Sequence, residues 1–595
     1  MKLSRPARVL AALLVAGLCA TGCVSMPTGG PVQSYPVTQA ADAQNQPYVQ
    51  VVPQSPGDGW KPSQIVQGFL TASASFGTYS QVAMEYLTPA ERKGWDPSWS
   101  ATVYKDGPNV ADPVYPAGTA KNAQTATVRI TGTVQANLQG YGNYSVPSAS
   151  GAGQSADSQP TFTLVKENGQ WRISQAPTKF LLTNDSFQND YQLSKLYFLN
   201  PDANYLVPDP VYVPVTASLS DLMNGLVSDL ITPPPGWLSA ATKTAFPAGT
   251  KIRNVSLNGV TAVVNLTGAA MVRASGDQAV MQQISSQLFN TLYSVAQSGS
   301  AGTSVQSLEV EVNDKPWPSS TGQGNAVQQS SVIKPATGSS SVFYYVADTG
   351  YLNSQDVNGG SPTRIEQLGT GVSQVAVSRD GSYVAALRGD TLYTGVLGGV
   401  LTKRGSGYTS ISWDIDDDLW AAQGDLIMMF RSAAGQRQVL GEMVSATVTD
   451  PYSFENPTAT LGPLRVAPDG VRVALVIGGT TLAYGAISGQ QGANPQIMLS
   501  PVQEQAVNAS TFSSLTWYGS DDVITLSTPG SALTEYSVSG GSSTSISSDS
   551  GMNSITAGSA PPLIAGLSNG GLISDASLMG AWTSIGEGSS PAYPG

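Results

Sequence analysis

A short turn motif recurs in the second half of the chain at a spacing that few folds tolerate. Ser378-Arg379-Asp380-Gly381 precedes the apolar run Tyr383-Val384-Ala385-Ala386-Leu387, and Ala467-Pro468-Asp469-Gly470 precedes Val471-Arg472-Val473-Ala474-Leu475-Val476, 89 positions later. An Asp-Gly turn between strands at that distance fits two successive units of a radial repeat of about 40 to 50 residues each. Trp413 with Asp417-Asp418-Leu419-Trp420 is echoed by Trp517 with Asp521-Asp522-Val523-Ile524. About six such units fit between Val342 and Ile585, enough for a closed ring whose radial repetition hides strand edges. The alternative is an open pair of packed sheets, which does not demand a recurring Asp-Gly turn at blade spacing.

Composition agrees with the repeat. The 595 residues include 63 Gly and 39 Pro and are only 11% charged, a turn-rich β profile. The segment resembles TolB-like and WD-repeat propellers. Net charge is −12, and removal of the first 22 residues with Lys2, Arg5 and Arg8 makes it more negative, so nucleic acid is not an expected partner.

The chain has no histidine. That excludes Ser-His-Asp and Cys-His nucleophile systems and every metal site that needs imidazole. Its two cysteines, Cys19 and Cys23, lie near the start, so the rest of the chain holds neither a disulfide nor a thiolate cage.

Lys2, Arg5 and Arg8 form a cationic region before the apolar run Val9 to Ala20, which is too short to span a bilayer as a mature helix and has the form of a secretory leader. The run ends in Leu18-Cys19-Ala20-Thr21-Gly22-Cys23, which resembles the lipobox of bacterial lipoproteins. That resemblance implies cleavage between Gly22 and Cys23, diacylation (palmitate-type) of the Cys23 thiol and acylation of the new amino group, with residues 1–22 as signal peptide. Two or three acyl chains, at about 0.8 kcal/mol per buried CH₂, give stable anchoring where one does not. An ordinary leader with a chance cysteine is the alternative.

Residues 23–60 then form the lipidated cysteine and a tether rich in Pro, Gln, Ser and Gly, with a reach of roughly 30 to 36 Å. Residues 61–200 read as an α+β domain: Ile65, Phe69, Ala72 and Phe76 share a helical face, Thr88-Pro89-Ala90-Glu91 has the form of a capping box, and Asn168-Gly169 joins two strands. The order resembles the cone-shaped domains of nuclear-transport-factor-like proteins. Residues 201–317 place Leu222, Met223, Leu226, Val227 and Leu230 on a helix capped by Ser218, a hairpin about Asn258-Gly259, a second helix with Ile284, Leu288 and Leu292, and a closing strand Leu308 to Val312. Phe246-Pro247-Ala248-Gly249-Thr250 and Val312-Asn313-Asp314-Lys315-Pro316-Trp317 make this α/β unit resemble a GerMN domain, which implies an adaptor module. Residues 318–341 are a linker, and 342–595 the all-β propeller.

Four local patterns invite chemistry. Gly566-Leu567-Ser568-Asn569-Gly570 has the spelling of a nucleophile elbow, but that elbow needs a strand-to-helix turn and a histidine. Ser331-Val332-Ile333-Lys334 has the Ser-x-x-Lys spelling, in a linker. Asp414, Asp416, Asp418 and Asp425 have the spacing of a calcium loop, with Leu419 where glycine is required and no bidentate glutamate; the competing reading is a polar blade turn flanked by Trp413 and Trp420. A glycosidase carboxylate pair needs no histidine, yet none of the 40 acids stands out. No catalytic, cofactor or metal residue is therefore assigned, and the expectation is a non-enzyme whose assigned residues are Gly22 and Cys23.

Lipobox, tether, α+β domain, GerMN unit and propeller, in that order, resemble the actinobacterial lipoprotein family LpqB. The resemblance implies a cell-membrane lipoprotein, held by lipid on Cys23 at the extracytoplasmic face. It implies an accessory role to an MtrB-type sensor histidine kinase, through that kinase's extracellular domain, in two-component control of envelope and division. A propeller that binds peptidoglycan or another wall polymer, or acts on carbohydrate, is the alternative.

Overall fold

The computed structural model describes residues 53–595 except for 75–79, 96–99, 117–121, 140–141, 148–158, 216–218, 233, 235, 275, 299–304, 318–325, 339, 433–439, 451–458, 491, 493, 507–509 and 561. Gly22, Cys23, Phe76 of the expected first helical face and the expected cap Ser218 lie outside the described residues. The chain from residue 50 onward packs as one compact unit.

In the first domain the helix Pro62–Ala74 lays Ile65, Val66, Phe69 and Leu70 onto a curved sheet, against Val128, Ile130, Phe162, Leu164 and Ile173. The sheet order runs from strand Gln170–Gln175 through Thr161–Glu167, Thr125–Gln139 and Ala101–Val110 to Phe180–Thr183, the last pair parallel. Asn168 and Gly169 both take positive φ, 52° and 80°, which is the type I′ geometry their pairing suggests. Only half of the expected capping box forms. Thr88 Oγ1 accepts the Glu91 N–H at 3.3 Å, whereas the Glu91 carboxylate accepts from the Ala176 N–H at 2.8 Å and so ties the short helix to the sheet.

A hairpin of Tyr191–Leu199 and Leu206–Pro214, paired over nine residues on each side, leads into the central unit. All of Leu206–Pro214 is buried. Helices Leu219–Leu230 and Gln278–Ser298 pack around a sheet whose strand Thr261–Thr267 pairs antiparallel with Lys251–Asn258 and parallel with Ser307–Val312. Here Asn258 pairs with Thr261, so the turn is Gly259-Val260, one residue later than expected, with Gly259 at φ 64°. Glycine at the first turn position suits type II′ geometry.

The remainder is a propeller of six four-stranded blades. Blade 1 is Val342–Val346, Tyr351–Asp356 and Thr363–Gln367, and its innermost strand is the C-terminal Ser589–Ala592, which pairs with Val342–Val346 and closes the ring. Blades 2 to 6 begin at the inner strands Val372–Val377, Tyr408–Trp413, Leu461–Val466, Thr511–Tyr518 and Met552–Thr556. The outer strands of blades 3 and 4 pair as well, through Thr447–Thr449 and Gln496–Met498, merging two blades into one eight-stranded sheet. The two repeated turns superpose in detail: Gly381 and Gly470 sit at φ 72° and 73°, and each donates its N–H at 2.9 Å to the carbonyl three residues earlier.

A blade's inner strand exposes an unpaired edge to the channel, and such edges must be satisfied. The preceding blade does this with side chains. Gln374 Oε1 accepts the Ile411 N–H at 3.2 Å, Ser410 and Ser412 Oγ accept from Leu464 and Val466 at 2.9 and 3.0 Å, and Thr516 Oγ1 accepts from Ala557 at 3.0 Å. Tryptophans staple the same seams: Trp413 Nε1 donates to the Ala376 carbonyl and Trp517 Nε1 to the Arg465 carbonyl.

The first domain docks on the flank of blades 4 and 5 through Tyr144 and Phe187, whose rings pack with that of Tyr212 from the central hairpin and lie with it against Gly540 and Gly541. Gly142 and Tyr212 meet backbone to backbone, the Tyr212 N–H donating to the Gly142 carbonyl at 2.9 Å. A Cβ on Gly142 would stand 1.7 Å from the Tyr212 carbonyl oxygen, at φ 93°. Gly142→Ala is therefore expected to destabilise the docked domain by at least about 2 kcal/mol, read as a lowered first melting transition of the chain from Val24 onward. An unchanged melt refutes the close approach.

Candidate functional site

Two features of the propeller combine burial with charge: a hub at the turn-bearing ends of the inner strands, and the central channel.

At the hub, Arg472 on the second strand of blade 4 is 2% exposed. Its Nε donates to Asp469 Oδ2 at 2.7 Å and its Nη1 to Asp521 Oδ1 at 2.9 Å, while Nη2 meets the Ser520 carbonyl. The Arg472 guanidinium lies 5.3 Å from the Trp517 ring and 3.4 Å from the Pro208 carbonyl of the central hairpin. Lys195, on the same hairpin, pairs with the other oxygen of Asp521. Burial alone would raise the Asp521 carboxyl, but Lys195 and Arg472 outweigh it and hold its pKa down at about 2. The repeated Asp-Gly turn thus supplies Asp469, which holds Arg472 against the central hairpin, while Asp521 pairs with that hairpin's Lys195.

Two carboxyls beside this hub have no such compensation. Burial pushes Asp209 up to about 7 despite Arg472, with Asp521 adding to the rise, and pushes Asp229 up to about 9, with Asp209 adding to it. Among the described residues, neither oxygen of Asp229 finds a hydrogen-bond partner. An acid whose native pKa lies above its unfolded value keeps its proton in the native state over a range where the unfolded state has lost it. Stability therefore falls as pH rises from about 4 toward the native pKa, by up to about 1.4 kcal/mol per unit. Asp229→Asn is expected to melt higher than the parent at pH 8, with the difference shrinking toward pH 5; equal melts at both pH values refute this. Arg472→Met is expected to cost about 3 to 5 kcal/mol, because it strands two buried carboxylates, as read by denaturant unfolding.

The channel holds two chambers of about 150 and 140 Å³. The first lies at the hub end among Trp413, Trp517, Arg379, Asp414 and Tyr593. It is roofed by the linker and the C-terminus: Arg379 donates to the Thr337 and Pro468 carbonyls at 2.9 Å each, and the Gly595 N–H to the Val377 carbonyl at 3.0 Å. The second lies at the starts of the inner strands and is lined by hydroxyls and amides, including Ser373, Thr409, Ser513, Ser514, Asn553 and Ser590. Arg465 borders both. Desolvation lowers its pKa to about 10, so it remains a cation at neutral pH.

Asp414 Oδ1 accepts the N–H groups of Asp416 and Asp418, its Oδ2 accepts from Trp420 Nε1, and Asp418 Oδ1 accepts from the Ser432 N–H. These carboxylates serve a blade turn, and among the described residues no three His, Cys, Asp or Glu side chains gather as metal ligands do. Leu567 and Gly571 bound a strand-to-strand turn, so Ser568 is not on an elbow. Ser331 ends a short 3₁₀ turn, and the following Ile333 N–H donates to Ser286. Arg465, Arg472 and Lys195 were missed by motif reading, since lone cations in strands spell no motif. The available signal for Arg465 was positional: Ser412 precedes Trp413 and Thr516 precedes Trp517, while an arginine precedes Val466 at the end of blade 4's inner strand.

Known proteins match along almost the whole described chain. Residues 55–188 match the family described as "Lipoprotein LpqB, N-terminal domain", 195–317 that described as "Sporulation and spore germination", and 350–594 that described as "Lipoprotein LpqB beta-propeller domain". A relative named Lipoprotein LpqB from Thermobifida fusca is 28% identical, with 99% of each chain covered. One of the same name from Streptomyces avermitilis is 29% identical over 85% of this chain and 83% of its own. One from Cutibacterium acnes is 31% identical over 47% and 44%. Among solved structures, the β-propeller domain of Cps50 (Swd1) from Myceliophteria thermophila aligns with a TM-score of 0.27 and 11% identity, covering 38% of this chain and 93% of that one.

Proposed function

The chain belongs to the LpqB lipoprotein family, and from that premise we propose that it is a lipid-anchored accessory regulator of an MtrB-type sensor histidine kinase, binding the kinase's extracellular domain outside the cytoplasmic membrane. Cys23, after Gly22, is the proposed lipid acceptor. The observation that carries this reading is that the matched modules run in the family's order and pack into one unit, with a chain free of histidine. An adaptor is built this way; a hydrolase of the Ser-His-Asp kind is not. Among the described residues no helix is long and apolar enough to cross a membrane.

Tethering confines lipoprotein and kinase to one membrane face, so a weak contact operates at high effective concentration. To regulate, the lipoprotein must bind one signalling state of the kinase more tightly, by about 1.4 kcal/mol for each tenfold shift in population. The expected result is saturable micromolar binding of the chain from Val24 onward to the purified kinase ectodomain, and loss of regulation in cells when Cys23→Ala releases the protein. No binding to the ectodomain, or a secreted Cys23→Ala protein that regulates normally, overturns the respective half of the proposal. The open hydroxyl-lined chamber favours one second reading, in which the propeller holds a wall polymer; co-sedimentation with insoluble peptidoglycan tests it.

A further inference from the structure

The chamber at the starts of the inner strands is asymmetric in a way the blade architecture does not require. Ser410, Ser412 and Thr516 spend their oxygens on the next blade's N–H groups. Arg465 stands at the corresponding place in blade 4 and brings a full positive charge into the channel. Its Nη1 is held by the Leu464 and Ile411 carbonyls, at 2.8 and 3.1 Å, and by Ser410 Oγ at 3.4 Å. Nε and Nη2 have no acceptor among the described residues, and no carboxylate pairs with the group there. Asp414, Arg379 and the C-terminal residue Gly595 line the other chamber, which Arg465 also borders; of these only Arg465 lines this one.

Two further donors border the same space. Ser514 Oγ accepts the Ile555 N–H at 3.3 Å, which leaves its own proton without an acceptor among the described residues. Asn553 Oδ1 accepts from Ser554 Oγ at 3.0 Å, which leaves its amide N–H groups likewise unengaged. Guanidinium, hydroxyl and amide thus come from blades 4, 5 and 6. Other hydroxyls of the chamber face the opposite way chemically. Ser373, Thr409 and Ser513 donate to backbone carbonyls and therefore present lone pairs, which suit a ligand's O–H groups. A water occupies about 30 Å³ of liquid, so a chamber of about 140 Å³ has room for a small oxyanion and its immediate substituents.

We infer that this chamber is a binding site for a small hydroxylated oxyanion, a carboxylate or phosphate carried on a polyol or sugar, with Arg465, Ser514 and Asn553 holding the charged oxygens and Ser373, Thr409 and Ser513 receiving its hydroxyls. The inference is independent of the kinase reading and of the polymer reading, because it concerns a small molecule in the channel. Charge-assisted hydrogen bonds from a desolvated guanidinium are the strong contacts in such a site, and loss of that group removes most of the affinity.

The test is calorimetric titration of the chain from Val24 onward with glucuronate, with glucose 6-phosphate and with neutral glucose. Saturable binding of one charged sugar and not of glucose is expected, and the two charged arms tell carboxylate from phosphate. Arg465→Met is expected to weaken that binding at least tenfold, and Asn553→Ala, on the exposed rim, a few-fold. Arg465 also holds backbone carbonyls, so a melting curve accompanies each variant; should Arg465→Met fail to fold, Asn553→Trp, which fills the rim, takes its place with the same expectation. Absence of binding by either charged sugar at millimolar concentration overturns the inference. So does binding that both the arginine variant and the rim variants leave unchanged, which puts the ligand elsewhere, and so does equal binding of neutral glucose.

Discussion

The arrangement of domains depends on one buried guanidinium. Arg472 joins blade 4 to blade 5 through Asp469 and Asp521 and reaches the central hairpin at Pro208, while Lys195 from that hairpin closes on Asp521. Two cations and two carboxylates balance, so the cluster is tolerable where a single ion is not. Desolvating such a cluster costs several kcal/mol, and replacing all of its members together by apolar groups of similar volume is often no worse for stability, whereas removing one of them strands the rest. The balance instead fixes orientation: the hairpin docks only where its lysine and carbonyl complete the set. Asp209 falls beside the cluster without a cation of its own, which is why burial drives its pKa toward neutrality while that of Asp521, a short way off, is held low.

A second constraint comes from the ring. Inner strands lack a neighbour on the channel side, so each blade must lend polar side chains to the next, and the C-terminal strand must return to blade 1 before the ring exists. Local turns and distant ends are thereby coupled. The hub occupies one end of the channel, where linker residues and the C-terminus roof it, and the hydroxyl-lined chamber opens at the other ends of the same strands. Trp517 joins the hub to Arg465: its ring lies under Arg472 and its Nε1 holds the Arg465 carbonyl at 2.9 Å.

Much of this was legible in the sequence because local chemistry and global fold agree. The Asp-Gly turns predicted blades since glycine at positive φ and a carboxylate capping its own turn are requirements of that geometry, and Ser378 and Asp380 do bond within it at 2.9 Å. The helix stripes of the central unit were visible for the same reason. Leu206–Pro214 was not, because Pro208, Pro210 and Pro214 argue against a central strand; it is tolerated here as one half of a two-stranded ribbon whose far side is covered by other domains. The hairpin turn at Gly259-Val260 shifted by one because type I′ and II′ turns share an Asn-Gly spelling, and only the register of the paired strands separates them. Arg465 and Arg472 were silent for a different reason: their significance lies in what they lack or find across the ring, which is long-range information.

The placement of Arg465 bears on how the channel is tied to the rest of the chain. The seams of this propeller are closed by side-chain bonds and tryptophan staples, which leave the ring few ways to change shape. The Arg465 guanidinium bonds blade 3 through Ile411 and Ser410, while its backbone carbonyl accepts from Trp517 of blade 5, so neutralising its charge acts on the seam between blades 3 and 4, one residue's length from the seam that Trp517 holds. If an occupied channel alters affinity for a partner by some factor, the partner must alter affinity for the channel ligand by the same factor. Blade 4 carries Arg465, Asp469 and Arg472 and so borders both the channel and the hub.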